Sequence, residues 1–156
     1  MAKRESPNHD RWDTICWQRG GRMTAKRRAV LNKLIAAKRP VTAYELQDLL
    51  RPQDRSVTPA SVYRCLEFLI EFGLVHRLET TRSFIACEHP DHPHAVQFLI
   101  CRRCGTVVEA EDKKIALAAE NLGQRLGFEV DQKTVELTGT CAACQVGVGP
   151  QAAIPA

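Results

Sequence analysis

Two Cys-x-x-Cys pairs, Cys101-Arg-Arg-Cys104 and Cys141-Ala-Ala-Cys144, constrain this chain more than any other feature. A Cys-x-x-Cys turn presents two thiolates to one ion, and a second such turn beside it completes the four-sulfur tetrahedron that a structural Zn2+ prefers. The residue after Cys104 is Gly105, suited to a tight reversal of the chain. Disulfides are the competing use of these thiols. They are disfavoured by the odd total of 7 cysteines, by the lack of a secretory leader and by a length of 156 residues, enough to build a core without cross-links. Whatever precedes Cys101 and Cys141 therefore has to deliver both turns to one place.

Charge divides the chain. Residues 1–85 hold 16 Lys and Arg against 9 Asp and Glu, a balance of +7; residues 86–156 hold 6 against 9, a balance of −3, which together give the net +4. A basic head joined to an acidic, cysteine-rich part implies a polyanion-binding module and a regulatory or assembly module. No apolar run approaches the ~20 residues of a membrane span, so a cytoplasmic protein with no membrane partner is expected.

The basic half reads as helices. Residues 11–19 predict a short helix broken at Gly20-Gly21, with Cys16 as a packed thiol. Thr24 caps a helix to about Lys38, with Val30, Leu31, Leu34 and Ile35 on one face. Thr42-x-x-Glu45 is a capping box, and Val41 with Leu46 forms a hydrophobic staple, for a helix whose core face is Leu46, Leu49 and Leu50. Thr58-Pro59 starts a third helix that turns Val62, Leu66, Leu69 and Ile70 inward and Ala60, Tyr63, Arg64, Glu67 and Glu71 outward until Gly73. Residues 74–79, 80–82 and 83–87 read as strand, turn and strand. Three short helices and a hairpin make a winged helix-turn-helix, whose third helix enters the major groove of double-stranded DNA with Tyr63 and Arg64 outward.

The acidic half reads as strand (Val96 to Ile100), strand (Thr106 to Ala110), helix (Asp112 to Leu126, with Ile115, Ala119, Leu122 and Leu126 on one face) and strand (Phe128 to Leu137). A unit this small exposes a sheet edge and an apolar helix face, which pairing with a second copy would cover. The expected fold class is thus α+β. Its expected parts are a winged-helix DNA-binding domain over 1–87, a hinge loop over 88–95, an α/β dimerisation and metal-binding domain over 96–144, and a disordered tail over 145–156.

Four further candidate ligands fall at the boundary between the halves: His76, Cys87, His94 and Glu109, with His89 and His92 offering the same chemistry as His94. A site made from both halves would couple metal occupancy to their relative orientation, the physics of a switch. A mixed thiolate, imidazole and carboxylate set suits Zn2+, its soft sulfur disfavouring an oxygen-liganded ion such as Mn2+. A zinc hydrolase would use similar residues with an open ligand position. The sequence holds no His-Glu-x-x-His helix and no general-base arrangement, so neither an enzyme nor a small-molecule substrate is expected.

The stretches Arg22-Met-Thr-Ala-Lys-Arg-Arg28, Thr58-Pro-Ala-Ser-Val-Tyr-Arg64, Gly73-Leu-Val-His76, Cys101-Arg-Arg-Cys104-Gly105 and Cys141-Ala-Ala-Cys144 resemble the ferric uptake regulator family over about residues 22–144, and most of all its zinc-sensing members. The resemblance implies a homodimeric transcriptional repressor with one structural Zn2+ in the four cysteines, and operator palindromes bound when a regulatory Zn2+ is loaded. It places His76, Cys87, His94 and Glu109 at the regulatory ligand positions. It makes Tyr63 and Arg64 the DNA-contacting pair, with Tyr44, Arg27 and Ser61 in support. Iron-sensing members of the family usually carry a run of histidines with Asp just before the first Cys-x-x-Cys and another His in the last strand. Here the histidines are spread as His89-x-Asp91-His92-x-His94, and residues 128–140 contain none. An iron-responsive regulator of the same architecture is the alternative; sensors of manganese, nickel or peroxide within the family are others, and the position of Cys87 argues against those.

Overall fold

The computed structural model describes residues 8–91, 95–130 and 134–147. The chain divides into two compact units, Met1–Pro93 and His94–Ala156. The first contains helices α1 (Asn8–Gln18), α2 (Ala25–Ala37), α3 (Ala43–Leu50) and α4 (Pro59–Glu71), then a hairpin of β1 (Val75–Leu78) and β2 (Ser83–Ala86). The second contains β3 (Val96–Cys101), β4 (Val107–Ala110), α5 (Lys113–Arg125), β5 (Thr134–Gly139) and α6 (Ala142–Gln145).

Local chemistry starts the helices of the first unit. The Thr42 hydroxyl accepts from the Glu45 N–H at 3.2 Å while the Glu45 carboxylate accepts from the Thr42 N–H at 2.8 Å, the reciprocal box that satisfies two otherwise orphaned donors. Thr58 and Ser61 make the same exchange at 3.2 and 3.0 Å, with Pro59 at the first position of α4. The αL conformation of Lys38 (φ 50°) ends α2 before Pro40 is reached. At the far end of α4, Gly73 adopts φ +66°, the Leu74 N–H reaches Leu69 O at 2.8 Å and the Gly73 N–H reaches Ile70 O at 2.9 Å. That double bond pattern closes the helix and turns the chain directly into β1.

Val30, Leu31, Leu34, Leu46, Leu50, Val62, Leu66, Leu69, Leu74, Val75 and Phe84 form one core, to which α1 adds Trp12, Ile15 and Cys16. Each fully buried Leu contributes roughly 1.5–3 kcal/mol relative to exposure. The hairpin joins this core through an antiparallel bridge between Val41 and Phe84. Leu49, expected on the core face of α3, is instead 41% exposed. Leu46 and Leu50 are four apart and stack on one face, which turns Leu49 away.

In the second unit β3 is the central strand, antiparallel to β4 and parallel to β5. Leu99 pairs with Val108 on one side and Leu137 on the other, so three apolar side chains make a row across the sheet. All three are exposed, as are Leu117 and Leu122 of α5 and Leu126, which follows it. Gln97 ties strand to helix: its Oε1 accepts from the Asp112 N–H at 2.5 Å, and Asp112 caps α5 through the Lys114 and Ile115 N–H groups. The last strand was expected from Phe128 but begins at Thr134. Residues 127–128 are consumed in closing α5, with Gly127 at φ +75° and the Phe128 N–H on Gly123 O at 2.8 Å. Val130 then lies over Gly123, where an added Cβ would sit 2.4 Å from its Cγ2. Of the expected tail, Gln145 closes α6 and residues 148–156 lie outside the described residues.

Candidate metal centre and nucleic-acid face

The parallel pairing of β3 and β5 builds the cysteine cluster. Cys101 lies opposite Gly139 in the register, and the Arg102 N–H donates to Gly139 O at 2.8 Å, so both Cys-x-x-Cys turns leave the same end of the sheet side by side. The first turn is closed by the Gly105 N–H on Cys101 O at 2.9 Å. The second starts at Cys141, the N-cap of α6, and puts Cys144 within that helix. Arg103 spans the two turns, donating to Cys144 O at 2.6 Å.

The four sulfur atoms all lie within 4.8 Å of one another, and Cys104 Sγ is 3.7 Å from Cys141 Sγ. Four thiolates around Zn2+ at about 2.3 Å place neighbouring sulfurs ~3.8 Å apart, so the spacing fits that ion; a disulfide would need about 2.05 Å. Polar groups already favour charge here. The Cys141 and Cys104 N–H groups hold the Cys101 thiol down to about 6, and the hydroxyl and N–H of Thr106 lower Cys104. Burial, together with the neighbouring sulfurs, pushes Cys144 up to about 12. Without a cation the cluster does not carry four thiolates; a divalent ion supplies the missing charge. Thr106 and Arg103 were not anticipated, and adjacency to the first pair was their only signal.

His76 and Cys87 come together in the first unit. His76 is on β1, and Cys87 follows β2 with its N–H on Leu74 O at 3.0 Å, extending the hairpin ladder by one bond. Cys87 Sγ and a ring nitrogen of His76 lie within 4.8 Å of one another. Cys87 is 1% exposed and the His76 Nε2 is buried. Glu109 is half-buried on β4 of the second unit, opposite Phe98. His94 and its rival His92 lie outside the described residues, and His89 is exposed.

On α4 the residues expected to face outward, Ala60, Tyr63, Arg64, Glu67 and Glu71, are all exposed. Tyr63 packs edge-on against Phe84 of β2. Tyr44 projects from α3 at 65% exposure. The other two supporting residues have their polar groups engaged within the protein. The Ser61 hydroxyl donates to Thr58 O at 2.7 Å as part of the cap. The Arg27 guanidinium lies 3.4 Å over the Phe68 ring and donates to Arg22 O at 2.6 Å. Among the described residues no helix is long and apolar enough to cross a membrane.

The chain is 38% identical over 133 residues to the zinc uptake regulation protein of Escherichia coli strain K12, a match covering 85% of this chain and 78% of that protein. The fold superposes on a zinc uptake regulator complexed with zinc and DNA with a TM-score of 0.84 at 34% identity, covering 91% of this chain and 97% of the other. It superposes on the crystal structure of holo XcZur with a TM-score of 0.81 at 40% identity, covering 88% and 96%. Residues 18–138 match the ferric uptake regulator family, to which this chain belongs.

Proposed function

We propose that this protein is a zinc-responsive transcriptional regulator, a repressor of zinc uptake genes that binds double-stranded operator DNA as a homodimer when its regulatory Zn2+ is loaded. The observation that carries the reading is the joint presence, in one chain, of an exposed Tyr63–Arg64 face on a doubly capped α4 and of a four-sulfur cluster with zinc spacing. The zinc uptake regulators named above, one of them solved with zinc and DNA, support it. Residues 1–87 act as the DNA-binding domain, 88–95 as the hinge and 96–144 as the dimerisation and metal domain of a cytoplasmic, non-enzymatic protein. The exposed row of Leu99, Val108 and Leu137 is the apolar surface that self-association would cover.

Two zinc ions have different tasks in this reading. Cys101, Cys104, Cys141 and Cys144 hold the structural one, worth roughly 10–16 kcal/mol apparent in small peptides, as much as a whole domain's stability. His76, Cys87, His94 and Glu109 hold the regulatory one, which need only bias an equilibrium; about 5.5 kcal/mol of differential affinity carries 1:99 to 99:1. Tyr63 and Arg64 read the operator, with Tyr44 beside them. Arg27 and Ser61 add supporting contacts, from side chains that also engage Phe68, Arg22 and Thr58 within the first unit.

The test is fluorescence anisotropy on the DNA upstream of the protein's own gene, at fixed salt because counterion release alone shifts affinity by orders of magnitude. Buffered free Zn2+ is compared with Fe2+ and Mn2+. Saturation at trace free zinc, with the other metals effective only at much higher levels, is the expected outcome. Preference for iron would replace the zinc reading with an iron-responsive one. A Cys87→Ser variant is expected to keep its fold and one zinc while losing zinc-stimulated binding.

A further inference from the structure

α1 lies almost wholly upstream of the family match, which begins at residue 18, yet it is fastened into the first unit at several points. Trp12, Ile15 and Cys16 are buried in the core, and Asp13 pairs with Arg28 of α2 at 2.5 Å. Two arginines reach elsewhere, to the segment that follows Cys87. Arg11 makes a two-pronged pair with Asp91, Nε to Oδ1 at 2.9 Å and Nη2 to Oδ2. Arg19, one residue past α1, donates from Nη1 to Phe72 O at 2.5 Å and from Nη2 to Pro90 O at 2.6 Å. One guanidinium thus joins the end of α4 to the stretch after β2. Gly73 leaves the space for it, since a Cβ there would lie 2.8 Å from Arg19 Nη1.

Those contacts have a common effect. Cys87 is held on one side by its ladder bond to Leu74, and the chain leaving it is held at Pro90 by Arg19, just past α1, and at Asp91 by Arg11 of α1. We infer that Arg19 and Arg11 are positioning residues for the metal-sensing ligands, fixing the path of the chain from Cys87 to Asp91 so that the Cys87 thiol is presented beside His76 before any ion arrives. The inference rests on the reading of His76 and Cys87 as regulatory ligands. Released from α1, residues 88–91 would have to be ordered each time the metal binds, and that entropy appears as weaker affinity. The Arg11–Asp91 pair is solvent-exposed, so it adds little to global stability. Its effect is therefore separable from folding.

Chelator competition on the full-length, zinc-loaded protein tests this, following the second zinc per protomer in the parent, Arg19→Ala, Arg11→Ala and Asp91→Ala. Loss of a group that supports a metal ligand lowers affinity roughly 10–100-fold. The lower end, about tenfold, is expected here, with the four-cysteine zinc retained and the unfolding temperature nearly unchanged. The reversed pair Arg11→Asp with Asp91→Arg is expected to recover most of the loss. Second-site affinity equal to the parent's in the single variants would overturn the inference. So would loss at both zinc sites, or a reversed pair that recovers nothing, because either marks general damage. Asp91→Ala alters only the exposed loop and keeps the test valid if Arg19→Ala does not fold. Cys87→Ser, run in parallel, separates the two ideas: if it too holds the second zinc like the parent, the ligand assignment itself has failed.

Discussion

The ring of Tyr63 meets that of Phe84 edge to face, with centroids 6.3 Å apart and planes at 75°. Tyr63 is on the exposed side of α4, while Phe84 is buried in β2 and bridged to Val41 at the threshold of α3. One aromatic contact therefore fixes the outward tyrosine relative to both the hairpin and the preceding helix. Tyr63→Phe keeps the ring and is expected to leave stability unchanged while weakening operator binding. Phe84→Leu loses the edge contact and is expected to cost about 0.5–1.5 kcal/mol of stability beyond any change in buried area. Urea unfolding beside anisotropy on operator DNA separates the two effects.

Arg64 is exposed one position further along α4. Replacement by Ala is expected to cost on the order of 1–3 kcal/mol of operator binding and to relax base preference there, with zinc content unchanged. Titrations on operator and random DNA at one salt concentration check it. An equal loss on both would restrict Arg64 to phosphate contact.

Cys144 is buried, and the partner turn reaches it through Arg103. Cys144→Ser is expected to lower structural zinc occupancy and to release β5 and α6, because the metal's apparent ~10–16 kcal/mol rivals the stability of a whole domain. Hydrogen exchange should then rise in residues 134–147 while α2 to α4 keep their protection.

The thiols also predict a proton count. With Cys101 held down to about 6, its thiolate is already present in the metal-free protein near neutral pH, whereas Cys144, pushed up to about 12, must give up a proton to bind. Zinc uptake at about pH 7.5 should therefore release fewer than four protons, and release should rise by about one as the pH falls through 6. The sign for stability follows. A depressed folded-state value stabilises the metal-free unit fully above the ordinary 9.0, progressively less down to about 6, and not at all below. Indicator-dye titration of the metal-free protein with Zn2+ measures the proton count, and thermal melts across that pH range measure the stability.

The features legible in the residues were those set by short-range chemistry. Thr42 with Glu45 starts a helix because donor and acceptor are three residues apart, Thr58-Pro59 starts one because Thr caps it and Pro needs no N–H partner in the first turn, and Tyr63 and Arg64 face outward because the apolar period of α4 leaves them no alternative. The two Cys-x-x-Cys turns announce a four-sulfur site because the turn itself sets the sulfur spacing within each pair. Where tertiary contacts decide, the residues alone were insufficient. Residues 128–130 alternate as a strand would, but the close of α5 and the packing of Val130 over Gly123 take them before β5 starts at Thr134. Leu49 suits a core, yet Leu46 and Leu50 already fill that side of α3. Arg27 and Ser61 have the right chemistry for DNA, but that chemistry gave no sign of the contacts they make with Phe68, Arg22 and Thr58. The pairing of Arg11 with Asp91, 80 residues away, leaves no local signature at all. Residue type and spacing were enough to say which cysteines gather at one point and which side chains of α4 stay outside the core. Which partner each side chain meets was settled in the folded chain, because packing and long-range hydrogen bonds depend on distant segments competing for the same surface.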